Sequence, residues 1–110
     1  MCLVDREAYV EAVLRVVEQV PPGRVISYGA IAAVVGVGGP RQVGAVMAEY
    51  GGGVPWWRVV RADGTLPLCH DGRARAQHRA ERTPMRGDRA DMSAASWSPS
   101  GRTIDPFAPD

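Results

Sequence analysis

The chain contains no lysine. All 13 of its basic residues are arginine, so any contact to a phosphate, a carboxylate or a base must come from a guanidinium fork or an uncharged donor. Cysteine and histidine are nearly as scarce: Cys2, Cys69, His70 and His78 are all there are. Without a Cys-x-x-Cys spacing, and with Cys69 and His70 adjacent, neither a disulfide scaffold nor a zinc knuckle can be built. No metal and no cofactor is expected. Also missing is any apolar run approaching ~18 residues, which leaves no candidate membrane helix. The start of the chain meets acids by its fifth residue and offers no signal-peptide core. A soluble protein in a reducing cytoplasm, with no membrane partner, is the expectation. A chain of 110 residues, 45% hydrophobic, is long enough for one domain with a real core and too short for two.

The net charge of +1 hides a modest polarity. Residues 1–50 carry four Arg against five acids, whereas 51–92 carry eight Arg against five. That gradient could steer an anionic polymer. A coding bias toward Arg explains the missing Lys equally simply, so placement matters more than number.

The first periodic segment runs from Arg6 to Val20, where Val10, Val13, Leu14 and Val17 follow helical spacing behind Asp5 as a candidate N-cap. Pro21-Pro22-Gly23 stops it. Ser27 can cap a second short helix through Tyr28, Ile31, Ala32, Val34 and Val35, which Gly36, Gly38 and Gly39 end. Pro40 suits the first position of a third helix, because its missing N–H is one that a helix start leaves unpaired.

That third helix has two stripes. Val43, Val46, Met47 and Tyr50 should face the core. Arg41, Gly44, Ala45 and Ala48 form a second stripe almost without side chains. A glycine inside a helix costs about 0.5–1 kcal/mol relative to alanine, so something must come close to this backbone. Close helix packing is one reading of the stripe. A helix-turn-helix whose second helix enters a nucleic-acid groove is the other.

Beyond Gly51-Gly52-Gly53, Arg58-Val59-Val60-Arg61 reads as a strand entering an Asp63-Gly64 turn, with Thr65-Leu66 as its return, a small wing. Residues 73–82 suit a surface helix without a broad apolar face. The domain is expected to span 1–92. Residues 93–110 read as a partly disordered C-terminal tail, frayed from Ser98 to Asp110, although Met92 and Trp97 could still pack back onto the domain.

Three stretches then resemble a known family. Val25-Ile26-Ser27-Tyr28-Gly29-Ala30-Ile31-Ala32, Pro40-Arg41-Gln42-Val43-Gly44-Ala45-Val46-Met47, and Val54-Pro55-Trp56-Trp57-Arg58-Val59-Val60 with Gly64 are similar, in order and spacing, to the DNA-binding domain of the O6-alkylguanine-DNA alkyltransferases. The resemblance covers roughly residues 6–82. It implies a mainly α fold with a small β wing, a winged helix-turn-helix built on three helices. The decisive departure is in the third stretch. The active alkyltransferases carry Pro-Cys-His-Arg-Val there, and this chain has Trp56 and Trp57 in place of the acceptor cysteine and its activating histidine. A thiolate is the nucleophile in such chemistry, and an indole cannot replace it. Trp56 therefore resembles the mark of the family's alkyltransferase-like branch, which binds the damaged base without repairing it.

The resemblance implies a role for each position. Arg41 would enter the duplex through the minor groove and fill the gap left by an extruded guanine. Gly44, Ala45 and Ala48 would lie against the groove walls. Tyr28 would press on the phosphate beside the lesion. Ser27, Pro40 and Gln42 complete the expected DNA-binding set, and Tyr28, Val54, Pro55, Trp56 and Arg58 the expected base pocket, with Trp57 given to packing. The family's Tyr-Ser-Gly pocket stretch is replaced by Thr65-Leu66-Pro67-Leu68-Cys69-His70, and its zinc-bearing N-terminal domain has no counterpart. The implied partners are duplex DNA with O6-alkylguanine and nucleotide excision repair proteins, the implied state a monomer. Two other functions stay open: an active alkyltransferase that uses a relocated Cys69, and a winged-helix transcription regulator without damage specificity.

Overall fold

The computed structural model describes residues 6–67 and 72–99. Asp5 and Cys69 therefore lie outside the described residues, as does the expected tail beyond residue 99. The first helix, α1 (Arg6–Gln19), buries Val13, Val16 and Val17. The chain then forms a two-residue strand, β1 (Ile26–Ser27), and passes directly into α2 (Tyr28–Val35). Ser27 caps α2, its Oγ accepting from the Ala30 N–H at 3.1 Å. Gly36 closes it in the left-handed region at φ 92°, its N–H donating to the Ala32 carbonyl. Only glycine takes that conformation without cost. The third helix, α3 (Pro40–Tyr50), starts at Pro40 as expected. The chain turns through 101° between α2 and the segment Pro40–Gly53, within the range of a helix-turn-helix.

One core cluster joins α1, α2 and α3 through Val13, Val17, Ile31, Val43 and Val46, with Ile26 and Val59 beneath them. Beyond α3, two 3₁₀ turns, Gly51–Gly53 and Trp56–Arg58, lead to β2 (Val59–Val60). This strand pairs in parallel with β1, Ile26 opposite Val59 and Ser27 opposite Val60.

The wing differs from the expectation. Arg61 to Thr65 closes as a tight turn, with the Arg61 N–H donating to the Thr65 carbonyl at 3.0 Å. Thr65 then bridges to Arg89 rather than extending a return strand along Val59–Val60. The cause is Gly64. It sits at φ 91°, its carbonyl accepts from the Ala90 N–H at 2.9 Å, and a Cβ there would stand 2.2 Å from the Ala90 carbonyl oxygen. The turn is thus drawn against the hairpin β3 (Met85–Arg86) and β4 (Arg89–Ala90), which supplies the small strand pair of this mainly helical fold.

The helix α4 (Arg73–Glu81) is less superficial than its polar sequence predicts, because Ala74 and His78 are buried. Packing continues past residue 92. A short helix, α5 (Met92–Ala95), buries Ala95 completely. The Trp97 N–H donates to the Val25 carbonyl at 2.8 Å, Trp97 packs on the core and Ser98 is buried. The Val25 N–H donates to the Ala95 carbonyl at 3.0 Å as well, so residues 95–97 supply the backbone partners that buried Val25 needs.

Candidate nucleic-acid interface and base cavity

On its inner face α3 buries Val43 and Val46, with Met47 packed beside them. Tyr50, expected to continue that stripe, is 42% exposed; the helix has run past the edge of the core by its last residue. The outer face leaves Arg41, Ala45 and Ala48 exposed and Gly44 half-buried. A Cβ built on Gly44 would meet no atom within 4 Å. Among the described residues no helix packs on the glycine, so close helix packing between them does not account for this stripe, and the face is open to an incoming surface. Arg41, second residue of α3, makes no side-chain hydrogen bond or ion pair with any described residue.

Neighbouring positions serve the helix itself. Pro40 is exposed at its start, and Gln42 turns its Oε1 back to accept the Gly39 N–H at 2.9 Å. That bond satisfies a backbone donor at the helix entrance. Together with the cap at Ser27, it gives two of the expected DNA-contacting residues a structural role already.

Beside this face opens a cavity of about 310 Å³. Four expected residues meet in its wall: Tyr28 from the first turn of α2, Gly44 and Ala48 from α3, and Trp56 from the second 3₁₀ turn. Met47, Gly51, Gly52 and Pro67, together with Glu49, complete the lining and had no signal in the sequence beyond their nearness to the motifs. The volume lies at the small end of small-molecule sites. Its walls are an indole, a phenol, a thioether and bare backbone, surfaces suited to a flat aromatic ring, with the Glu49 side chain as the charged group among them.

Three expected pocket residues are elsewhere. Val54 is buried in the core cluster of α1, α2 and α3. Pro55 opens the Trp56–Arg58 turn, its carbonyl accepting the Arg58 N–H at 3.0 Å. The Arg58 side chain points to Glu81, because a guanidinium taken out of water needs a carboxylate. Its Nε donates to Glu81 Oε1 at 3.1 Å, its Nη2 to Oε2, and its Nη1 to the Val20 carbonyl at 2.9 Å. The same carboxylate accepts the Trp57 indole N–H at 2.9 Å and the Gly23 N–H at 3.1 Å. Arg58 also stacks over the Trp57 ring, 5.2 Å from its centroid.

Glu81 thus ties α4, the turn after α1 and the Trp56–Arg58 turn into one polar knot. Trp56 and Trp57 meet edge to face, centroids 5.7 Å apart at 86°. The knot that holds Trp57 therefore also sets Trp56 in the cavity wall. An extended segment would point the two indoles to opposite sides; the 3₁₀ turn brings them into contact.

Residues 8–82 match the family described as the DNA-binding domain of 6-O-methylguanine DNA methyltransferase. The chain belongs to this family. A relative in Vibrio parahaemolyticus serotype O3:K6 (strain AQ3810), called a DNA base-flipping protein, is 32% identical over 65 residues. That match covers 56% of this chain and 65% of the relative, so the chain spans less than two thirds of its length. Among solved structures, S. pombe Atl1 in complex with damaged DNA containing O6-carboxymethylguanine superposes with a TM-score of 0.74. Identity is 25%, over 87% of this chain and all of that one. The S. pombe ATL complex with DNA gives the same values.

In this methyltransferase-family domain the knot has a second layer. The His78 Nε2 donates to the Trp57 carbonyl at 2.6 Å, and its Nδ1 lies 2.8 Å from Thr83 Oγ1, which donates to it when the ring is neutral. Burial holds the His78 pKa below the usual histidine value, outweighing the Trp57 carbonyl and Glu81, which favour the cation. Burial of Glu81 by itself would raise its pKa. The hydrogen bonds from Arg58, Gly23 and Trp57 outweigh that and hold it below the ordinary carboxylate value.

These directions set the pH response. The unfolded chain takes up a proton at histidine near pH ~6.5 that folded His78 refuses. Stability should therefore decline as pH falls from about 6.5 toward the lower folded value, and decline again below about 4.5, as Glu81 is protonated through its own depressed pKa. Urea midpoints between pH 8 and 3 check this. His78→Gln should remove the upper stage, and a flat profile between pH 8 and 5 would contradict it.

Proposed function

We propose that this protein recognises O6-alkylguanine in duplex DNA by turning the damaged nucleotide out of the helix, and that it does so without transferring the alkyl group. The observation that carries the reading is Trp56, an indole in a cavity wall where the family motif has its acceptor cysteine. Extrusion costs a few kcal/mol, least for a base that already pairs poorly, as an O6-alkylated guanine does. The open face of α3 admits a groove wall at Gly44, Ala45 and Ala48. Arg41 enters the vacated space, where stacking and hydrogen bonds offset part of that cost. The extruded base lies between Tyr28 and Trp56, whose apolar surface favours an added alkyl group by ~0.8 kcal/mol per buried CH₂.

The complexes of S. pombe Atl1 and the name of the Vibrio relative support damage recognition and base flipping here. A reader without a reactive group acts by persisting on the lesion. We propose further that it marks alkylated sites for nucleotide excision repair, and that it does so as a monomer in the cytoplasm.

The test is fluorescence anisotropy at fixed salt with two duplexes that differ only in one O6-methylguanine. The damaged duplex should bind at least ~10-fold more tightly, ~1.4 kcal/mol. Equal affinity would indicate a regulator without damage specificity. Radiolabel recovered on Cys69 after incubation with a labelled O6-methylguanine duplex would overturn the non-catalytic reading.

A further inference from the structure

Helix α4 carries an arginine surface that the cavity and α3 do not use. Arg75, Arg79 and Arg82, spaced by four and three residues, lie along one face and line a second depression of about 400 Å³, walled by Met85 and Gly87. It shares no lining residue with the cavity beside Trp56. All three are exposed, and none makes a side-chain hydrogen bond or ion pair with a described residue. The acids around them are mostly engaged elsewhere. Glu81 is held by Arg58, Trp57 and Gly23; Asp63 pairs with Arg89; Asp91 caps α5. Only Asp88, on the turn between β3 and β4, stands near without an ion-pair partner among the described residues.

A second observation is independent of charge. Arg82 ends α4 in the left-handed region at φ 60°, the only described non-glycine residue with a positive φ. Glycine or asparagine would take that position with less strain. A residue kept in such a conformation points to a use for its side chain, and here the conformation places a third guanidinium in the depression with Arg75 and Arg79. By contrast α2 and α3 together offer one cation, Arg41.

We propose that Arg75, Arg79 and Arg82 form a second phosphate-binding surface, which grips the DNA backbone away from the lesion and supplies most of the salt-dependent part of the affinity. Guanidinium forks suit paired phosphate oxygens, and contacts of this kind position a protein without reading sequence. The inference rests on DNA being the ligand, as proposed above.

The experiment compares the intact protein with the triple variant Arg75→Ala, Arg79→Ala, Arg82→Gly by anisotropy. Damaged and undamaged duplexes are each titrated across a salt series. Three lost phosphate contacts should lower the salt slope by about 2.7, so the intact protein should lose about 40-fold more affinity than the variant between about 50 and 200 mM salt. The damaged-to-undamaged ratio should stay the same. Arg82→Gly alone should melt no lower than the parent yet bind both duplexes more weakly, a split that a merely structural role would not produce. If the loss appears on a single short duplex, the surface holds the same DNA molecule; if only after a second duplex is added, it holds another. Unchanged affinity and slope, with lesion preference intact, would overturn the second surface and leave the first reading standing, and would favour an acidic protein as the occupant. Failure of the intact protein to bind either duplex would overturn both.

Discussion

Replacing Glu81 with alanine should cost the fold about 3–5 kcal/mol, the range found when one partner of a buried ion pair is removed. The Arg58 side chain is only 12% exposed, and without the carboxylate it keeps a single carbonyl, that of Val20. The Trp57 indole and the Gly23 amide lose their acceptor at the same time. Since a domain of this size has a total stability of roughly 5–15 kcal/mol, this one change should remove a large share of it. Urea unfolding at pH 7.5 measures the effect. The knot also fixes the turn that carries Trp56, so the fraction that remains folded should bind the alkylated duplex less well. Glu81→Gln, which can still accept from Trp57, should fall between the two. A loss below about 1 kcal/mol for the alanine variant, the value of an exposed pair, would show that the knot is not the anchor described.

Arg41→Ala should act the opposite way, on binding and hardly on stability. The side chain is exposed and bonded to no described residue, and a surface change of this kind stays within about 0.5 kcal/mol. On the proposed reading the guanidinium occupies the space of the extruded base, a central position where truncation costs 2 kcal/mol or more, about 30-fold. The loss should fall on the alkylated duplex. The undamaged duplex should lose no more than one phosphate contact, a change of about 0.9 in the salt slope. The damaged-to-undamaged ratio therefore discriminates, and equal losses on both duplexes would make Arg41 an ordinary backbone contact.

Local signals in the sequence carried far in the first half of the chain. Ser27 as a cap, Gly36 as a stop and Pro40 as a first helical residue each act on atoms within four positions, so residue type alone decides them. The stripe of Arg41, Gly44, Ala45 and Ala48 was legible as a face, but two readings fitted it until the empty space beside Gly44 decided against internal packing. What escaped is non-local. Glu81 reads as one more charge on a polar helix, because its partners lie 23, 24 and 58 positions away. Val54 and Arg58, two positions either side of Trp56, carry no local mark of where their side chains go: the Trp56–Arg58 turn brings Arg58 to Glu81, and Val54, which precedes that turn, is buried in the core. The return strand of the wing failed because Gly64 is engaged by Ala90, and nothing near Gly64 in sequence announces that contact. The packing of residues 93–98 rests likewise on a backbone bond to Val25.

On the proposed reading, the two-residue pairing of β1 with β2 bears on how lesion range could be engineered. Tyr28 follows directly on β1 and the Trp56–Arg58 turn directly precedes β2, so backbone registration, Ile26 opposite Val59 and Ser27 opposite Val60, acts as a spacer gauge between the two aromatic walls. Changes to their side chains would alter surface chemistry while the frame stayed fixed. Room for a bulkier adduct has to come from the side of the cavity that this gauge does not hold, where Met47 and Glu49 are the long side chains, Glu49 tied to Arg6 at 2.9 Å, and Gly51 and Gly52 bring only backbone. Trimming Met47 is thus the direct route to a broader appetite, and lengthening the glycine turn is the route that leaves the aromatic spacing untouched.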